Sequence, residues 1–146
     1  MGSVTTAVCT SFKTERQQAV HNLTSHTLKL ALIKASPTGT YGADTTNYSD
    51  LTGNSDETSG TGYSAGGVTL TGAALSTDSG VVILDFNDPS WTTATFSARG
   101  ALLYNASASN KAIAVFDFGE TKSVVAGTFT IQVPLANAAL GILRSA

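Results

Sequence analysis

The stretch that most constrains this chain runs over residues 93–119, TATFSARGALLYNASASNKAIAVFDFG. Its first half alternates, with Ala94, Phe96, Ala98, Leu102 and Tyr104 on one side and Thr93, Thr95, Ser97 and Arg99 on the other. A period of two belongs to a half-buried strand, because successive strand side chains point to opposite faces. Residues 105–110 (NASASN) are small and polar, a turn signal. Residues 111–118 then form a second strand, with Ala112, Ala114, Phe116 and Phe118 on one face and Ile113 and Val115 on the other. A strand that is apolar on both faces sits inside a sheet, so this reads as a central antiparallel hairpin.

The rest of the chain is read outward from that hairpin. Residues 1–10 form an extended arm, and residues 11–23 (SFKTERQQAVHNL) carry a short helix capped by Ser11, with Phe12, Ala19, Val20 and Leu23 toward one face. It is the only helix expected. Residues 27–35 alternate as a first strand, closed by Pro37 and Gly39. Residues 40–67 are the least apolar part, too long for an ordinary connection. Tyr41, Tyr48, Leu51 and Tyr63 are placed to pin this excursion to the body, or to offer a contact or ligand surface.

Strands follow at 68–75, bent at Gly72, and at 81–86, with turns at 76–80 and 87–90. Trp91 is a packing anchor. After a turn at 119–122, residues 127–133 alternate with Phe129, Ile131 and Val133 inward until Pro134 ends the ladder. Residues 138–143 give a last short strand. About seven strands with short turns predict an all-β domain, an antiparallel β-sandwich of jelly-roll or immunoglobulin-like type over residues 11–146. Its expected core holds Phe86, Trp91, Phe96, Phe116, Phe129 and Ile131.

Chemistry is sparse. Charged residues make up 12% of the 146 residues and the formal net charge is −2, so the sequence carries no basic stripe for nucleic acid. No apolar run reaches the roughly 18 residues of a membrane span, and the first residues lack the charged and apolar regions of a secretory leader. Met-Gly-x-x-x-Thr at Gly2 and Thr6 matches a myristoylation pattern, but its residue types are common throughout this chain. Cys9 is the sole cysteine, which excludes an internal disulfide and reads as an inert apolar residue. His21 and His26 stand five apart with no ligand cluster beside them, and Asp85, Asp88 and Asp117 do not have the spacing of a calcium loop. The glycines of residues 59–62 lack the lysine and helix of a phosphate cradle. Asn-x-Ser/Thr at Asn22, Asn47 and Asn105 follows from abundant hydroxyl residues. The expectation is no catalytic residue, no metal and no cofactor. Arg99, mid-strand among apolar neighbours, is expected to pair with Asp117 or Asp85 or to reach a partner.

Several runs, in order, carry a family resemblance: residues 12–15 (FKTE), 26–33 (HTLKLALI), 60–67 (GTGYSAGG), 98–105 (ARGALLYN), 115–119 (VFDFG) and 129–134 (FTIQVP). Together they resemble small virion proteins of tailed bacteriophages across residues 12–143. The resemblance implies a non-enzymatic β-sandwich component present in many copies, in a virion assembled in the host cytoplasm. Its partners would be the major capsid protein or copies of itself, with neither nucleic acid nor membrane. A capsid cement or decoration protein is the leading expectation, since few charges and many Thr, Ser and Ala suit lattice contacts. The alternative is a tail-associated structural protein, or a receptor- or carbohydrate-binding module. Candidate partner contacts are Arg99, Tyr41, Tyr48 and Tyr63, together with the 1–10 arm.

Overall fold

The computed structural model describes residues 2–131 and 143–145. Strands dominate, as an all-β fold requires. In chain order they are β1 (Ser3–Val4), β2 (Ala7–Val8), β3 (Leu28–Ile33), β4 (Thr40–Tyr41), β5 (Val68–Thr69), β6 (Ala74–Asp78), β7 (Val81–Asp85), β8 (Ser90–Asn105), β9 (Lys111–Thr130) and β10 (Leu143–Ser145). Helix α1 (Thr10–Gln17) lies between β2 and β3, and α2 (Tyr48–Gly53) between β4 and β5.

The expected hairpin is the centre of the main sheet, whose order is β2-β9-β8-β3-β5. Along its inner half, β8 pairs Gly100–Asp117, Ala101–Phe116, Leu102–Val115 and Leu103–Ala114 with β9. On its other edge, β3 runs antiparallel from Leu28–Asn105 to Ile33–Gly100. Here both faces are covered: Leu30, Ala31, Leu32, Ile33, Leu102, Leu103, Ile113 and Val115 are all buried. Fully burying a Leu or Ile side chain contributes about 1.5–3 kcal/mol, so this block is the energetic centre.

The outer half of the hairpin behaves differently. Three register shifts interrupt it. Residues 118–121 of β9 stand opposite Arg99 alone, between the pairs Gly100–Asp117 and Ala98–Lys122. Val125 and Ala126 stand opposite Thr95, and Ala126, at φ 47°, donates its N–H to Thr95 Oγ1 at 2.9 Å. Thr92 and Thr93 stand opposite Thr128, with Thr93 at φ 48°. The turn expected at residues 119–122 is therefore the first of these bulges, and β9 continues through it. Gly119, at φ 83°, allows the bend, and its N–H is held by Asp117 Oδ1 at 2.9 Å.

Several other expectations are corrected. α1 starts at Cys9 with no side-chain cap, and Ser11 lies inside it. The helix stops at Gln18, before Ala19 at φ 60°, so of the four apolar residues expected on its face only Phe12 is buried on the helix. α2 was not expected at all. The single strand expected at 68–75 is two, β5 and β6. The chain leaves one sheet for another at Gly72, φ 69°. The turn expected at 76–80 contracts to Ser79-Gly80, both at positive φ, the two-residue geometry that suits a hairpin. β7 is central in the sheet β10-β7-β6, yet Val82 remains 42% exposed. In the expected core, Phe86, Trp91 and Phe96 are buried, whereas Phe116, Phe129 and Ile131 are only partly so. The strand expected at 138–143 lies outside the described residues except for Leu143, and so do Gln132, Val133 and Pro134.

Residues 2–9 of the expected arm carry two short strands and are not separate from the body. β1 pairs in parallel with β4, β2 pairs with Val115 and Ala114, and Val4 and Cys9 are buried. Burial first, then the Asp50 and Glu15 carboxylates, push the Cys9 thiol up to about 12, so it stays protonated and unreactive. Removing residues 2–8 is expected to cost at least about 2 kcal/mol, the burial of Val4 alone supplying most of that. The same truncation should let a thiol reagent reach Cys9 without denaturant. An unchanged unfolding midpoint together with a still-protected thiol would show that the arm contributes nothing to the core.

Candidate functional site

Two adjacent carboxylates organise the long polar segment. Asp56 is fully buried. Its oxygens accept from Thr38 N–H (2.9 Å), Gly39 N–H (2.8 Å), the Thr38 hydroxyl (3.2 Å) and Tyr41 Oη (2.6 Å), and Lys34 Nζ lies 3.4 Å away. Burial acts to raise the Asp56 pKa, but the Thr38 N–H, the Tyr41 hydroxyl and the Gly39 N–H outweigh it and hold the group at about 2.

Glu57, one residue on, gathers a second set of donors. Oε1 accepts from Tyr48 Oη at 2.5 Å, and Oε2 from Tyr63 Oη at 2.5 Å and Gly66 N–H at 2.7 Å. Tyr63 Oη also accepts the Leu32 N–H at 3.0 Å, which ties the network to β3. Tyr104 donates to the Gly66 carbonyl at 2.6 Å and stacks on Tyr48 with ring centroids 4.7 Å apart. Burial, reinforced by the acceptor carboxylates, raises the pKa of Tyr41, Tyr48 and Tyr63 well above the usual phenol range. These hydroxyls are fixed donors. The expectation that Tyr41, Tyr48, Leu51 and Tyr63 pin residues 40–67 to the body agrees with this geometry.

Of the tyrosines expected as partner contacts, Tyr41 is buried and Tyr48 and Tyr63 are partly exposed. Tyr41 is 1% exposed, and the Tyr48 and Tyr63 hydroxyls are spent on Glu57. Arg99 Nη2 lies 3.4 Å from Asp117 Oδ1, one of the two pairings expected, and both side chains are partly exposed. It also lines a cleft of about 290 Å³ with Gly2, Ser3, Ser36, Pro37 and Thr121. Of the carboxylates considered for calcium, Asp117 is thus paired with Arg99, while Asp85 Oδ1 accepts the Phe86 N–H. Among the described residues no group of three or more His, Cys, Asp or Glu is arranged to hold a metal ion. No described helix is long and apolar enough to cross a membrane.

The surface that the sequence pattern did not single out is the outer half of β9. Glu120, Thr121, Lys122, Ser123, Val125, Ala126, Thr128 and Thr130 are exposed, and Val125 reaches 79%. Between these residues Phe118, Val124, Phe129 and Ile131 are half-buried, and with Lys122 and Thr128 they line an open groove of about 450 Å³. Trp91, Phe96 and Phe129 pack edge-on or tilted beneath it, with centroids 5.2–6.2 Å apart. The rings form a rigid floor under a hydroxyl-rich rim. Among the described residues β9 pairs with β2 only at Ala114 and Val115, so its outer edge faces no other strand beyond them. The signal available in the sequence was the density of Gly, Thr and Ser over residues 119–130, which interrupts the apolar pattern of the inner half. The chain matches no known family, no curated protein and no solved structure.

The Asp56 clamp predicts a particular acid response. Its pKa is near 2 in the folded state against an ordinary 3.8. The clamp's stability is therefore full above about pH 4 and is lost as pH falls toward 2, amounting to about 2 kcal/mol. Asp56→Asn should lower stability at pH 7 by about 2–3 kcal/mol and flatten the change between pH 4 and pH 2. Urea midpoints measured across that range check both. A variant as acid-sensitive as the native chain would place the titrating group elsewhere.

Proposed function

We propose that this protein is a non-enzymatic structural component of a bacteriophage virion, a capsid cement or decoration protein acting through contacts with the major capsid protein or copies of itself. Its finer architecture is read as a β-sandwich of jelly-roll or immunoglobulin-like type, and its location as the virion assembled in the host cytoplasm. The observation that carries the reading is the outer half of β9, a strand edge that no other strand pairs among the described residues, with only Glu120 and Lys122 charged between residues 119 and 130. An unpaired strand edge is a template for another chain, and natural proteins usually guard it with charge, proline or cover. Here the guards are few: three bulges, and a Glu120–Lys122 ion pair at 2.8 Å that leaves no net charge to repel a neighbour.

The order of motifs that resembles tailed-phage virion proteins supports the same reading. So does the fixed state of the interior: carboxylates and phenols are bound to one another instead of facing a cleft. Weak contacts repeated over a symmetric shell add through avidity. The carbohydrate-binding alternative draws less support, because Tyr41 is buried and the Tyr48 and Tyr63 hydroxyls are bonded to Glu57. The contact element is also reassigned, from the arm and the 40–67 segment, which are built into the fold, to the outer half of β9.

Val125→Asp combined with Thr128→Asp is expected to leave the unfolding midpoint within about 0.5 kcal/mol of native, as exposed substitutions usually do. Particles from cells making this variant should carry it at well below its native copy number relative to the major capsid protein. Full occupancy would remove β9 from the contact, and immunogold label on tails alone would replace cement by the tail-associated reading.

A further inference from the structure

One polar cluster lies apart from both the carboxylate clamp and the β9 surface. Asn105, the last residue of β8, is completely buried. Its Oδ1 accepts the Ser107 N–H at 3.0 Å, which fixes the amide so that Nδ2 points the other way. There Nδ2 meets two imidazoles, His21 Nδ1 at 3.0 Å and His26 Nδ1 at 2.9 Å. An amide nitrogen has two hydrogens and no acceptor capacity, so each bond requires an unprotonated Nδ1. His26 Nδ1 also accepts the Asn22 N–H at 3.2 Å.

The two histidines are not equivalent. His21 has a side chain 1% exposed, packs against the Phe12 ring at 4.9 Å and sets Nε2 2.9 Å from Glu15 Oε1. Glu15 in turn lies 3.7 Å from Lys111 Nζ. A carboxylate on Nε2 selects the tautomer with the proton there, leaving Nδ1 free for the amide. His26 is partly exposed, within reach of solvent protons, and its Nδ1 faces two N–H donors. The charged and titratable groups around this amide are thus Glu15 on α1, Lys111 on β9 and the imidazoles themselves.

We infer that His21, His26 and Asn105 form a proton-sensitive latch, with His26 as the sensor, that holds residues 22–27 to the tip of the β8–β9 hairpin. Protonating His26 at Nδ1 sets its N–H against the Asn105 amide and the Asn22 N–H, so two hydrogen bonds are lost together. Turning the Asn105 amide over does not repair this. It would present Oδ1 to His26 but give up the Ser107 N–H, and His21 Nδ1 would then face an acceptor. Two neighbouring bonds, Thr27 N–H to Ser107 Oγ at 2.8 Å and Ala106 N–H to the Thr27 carbonyl at 2.9 Å, share the same contact and loosen with it. Imidazole is the side chain that can take up a proton near physiological pH, which is why the device answers to acid.

The test is amide hydrogen exchange on the full chain in EDTA, so that no metal ion can bridge the imidazoles. Intrinsic rates are divided out at each pH. Protection at Asn22, Thr27 and Ala106 is expected to fall about tenfold or more between pH 8 and pH 5, the factor equal to one net hydrogen bond. Amides of β3 should hold theirs. His26→Asn, whose Oδ1 can stand in for Nδ1 without titrating, should lose this pH dependence. Should that variant fail to fold, nitrogen NMR of the native histidines decides. Both must be protonated at Nε2 and bare at Nδ1 at pH 8. Unchanged protection in acid, an undiminished response in His26→Asn, or a proton on Nδ1 at pH 8 would each overturn the latch.

Discussion

Everything else in this fold hangs on the backbone pairing of β8 with β9. β3 can join the sheet only because β8 offers its second edge, and β2 because β9 does. A two-stranded hairpin is marginal by itself in water. It becomes a core here because its inner half is apolar on both faces, so the added strands and α1 bury Leu102, Leu103, Ile113 and Val115 instead of merely extending a ribbon. The same pairing carries the change of character along the hairpin. Where the register is continuous the strands are buried. Past Gly100, where three bulges break it, the side chains of β9 turn to solvent, whereas the one shift in the inner half, beside Leu103, leaves Ile113 buried.

The second constraint is the cost of burying backbone and carboxylate groups in a polar segment. Residues 40–67 have little apolar surface with which to hold themselves down. Asp56 and Glu57 replace that missing burial, gathering N–H groups and hydroxyls that would otherwise compete for water. Adjacent residues in extended backbone point in opposite directions, which lets one clamp reach Tyr41 and the other Tyr48 and Tyr63. Charge is scarce in this chain, and some of what exists is used inside it. That leaves a surface of hydroxyls and small residues, with weak repulsion between copies.

α2 illustrates what local patterning conceals. Asn47 accepts the Ser49 N–H at 3.0 Å, and Asp50 Oδ2 reaches back to the Thr46 N–H at 2.9 Å. This reciprocal arrangement is akin to a capping box, and Asn-Tyr-Ser-Asp was its trace in the sequence. With only Leu51 buried, the helix has no apolar period to reveal it. The arm was hidden for the related reason that two-residue strands are too short to alternate. Val4 and Cys9 became core residues through partners far along the chain, at Tyr41 and Ile113.

What the sequence determined by itself was local: the two-residue period of β3 and β8, the turn at residues 105–110, the packing of Trp91, and the scarcity of charge. Each follows from neighbours in the chain, so no distant contact was needed to read it. The Arg99–Asp117 pair was half legible, since alternation put Arg99 on a polar face but named two acids for it. Only the tertiary structure decided that β9 runs on past Gly119, because a bulge and a turn use the same small, polar residues. The choice between them depends on whether β8 continues opposite. It alone brought Asn105 to His21 and His26, and Asp56 to Thr38 and Tyr41, because directional hydrogen bonds between residues far apart in sequence leave no period behind.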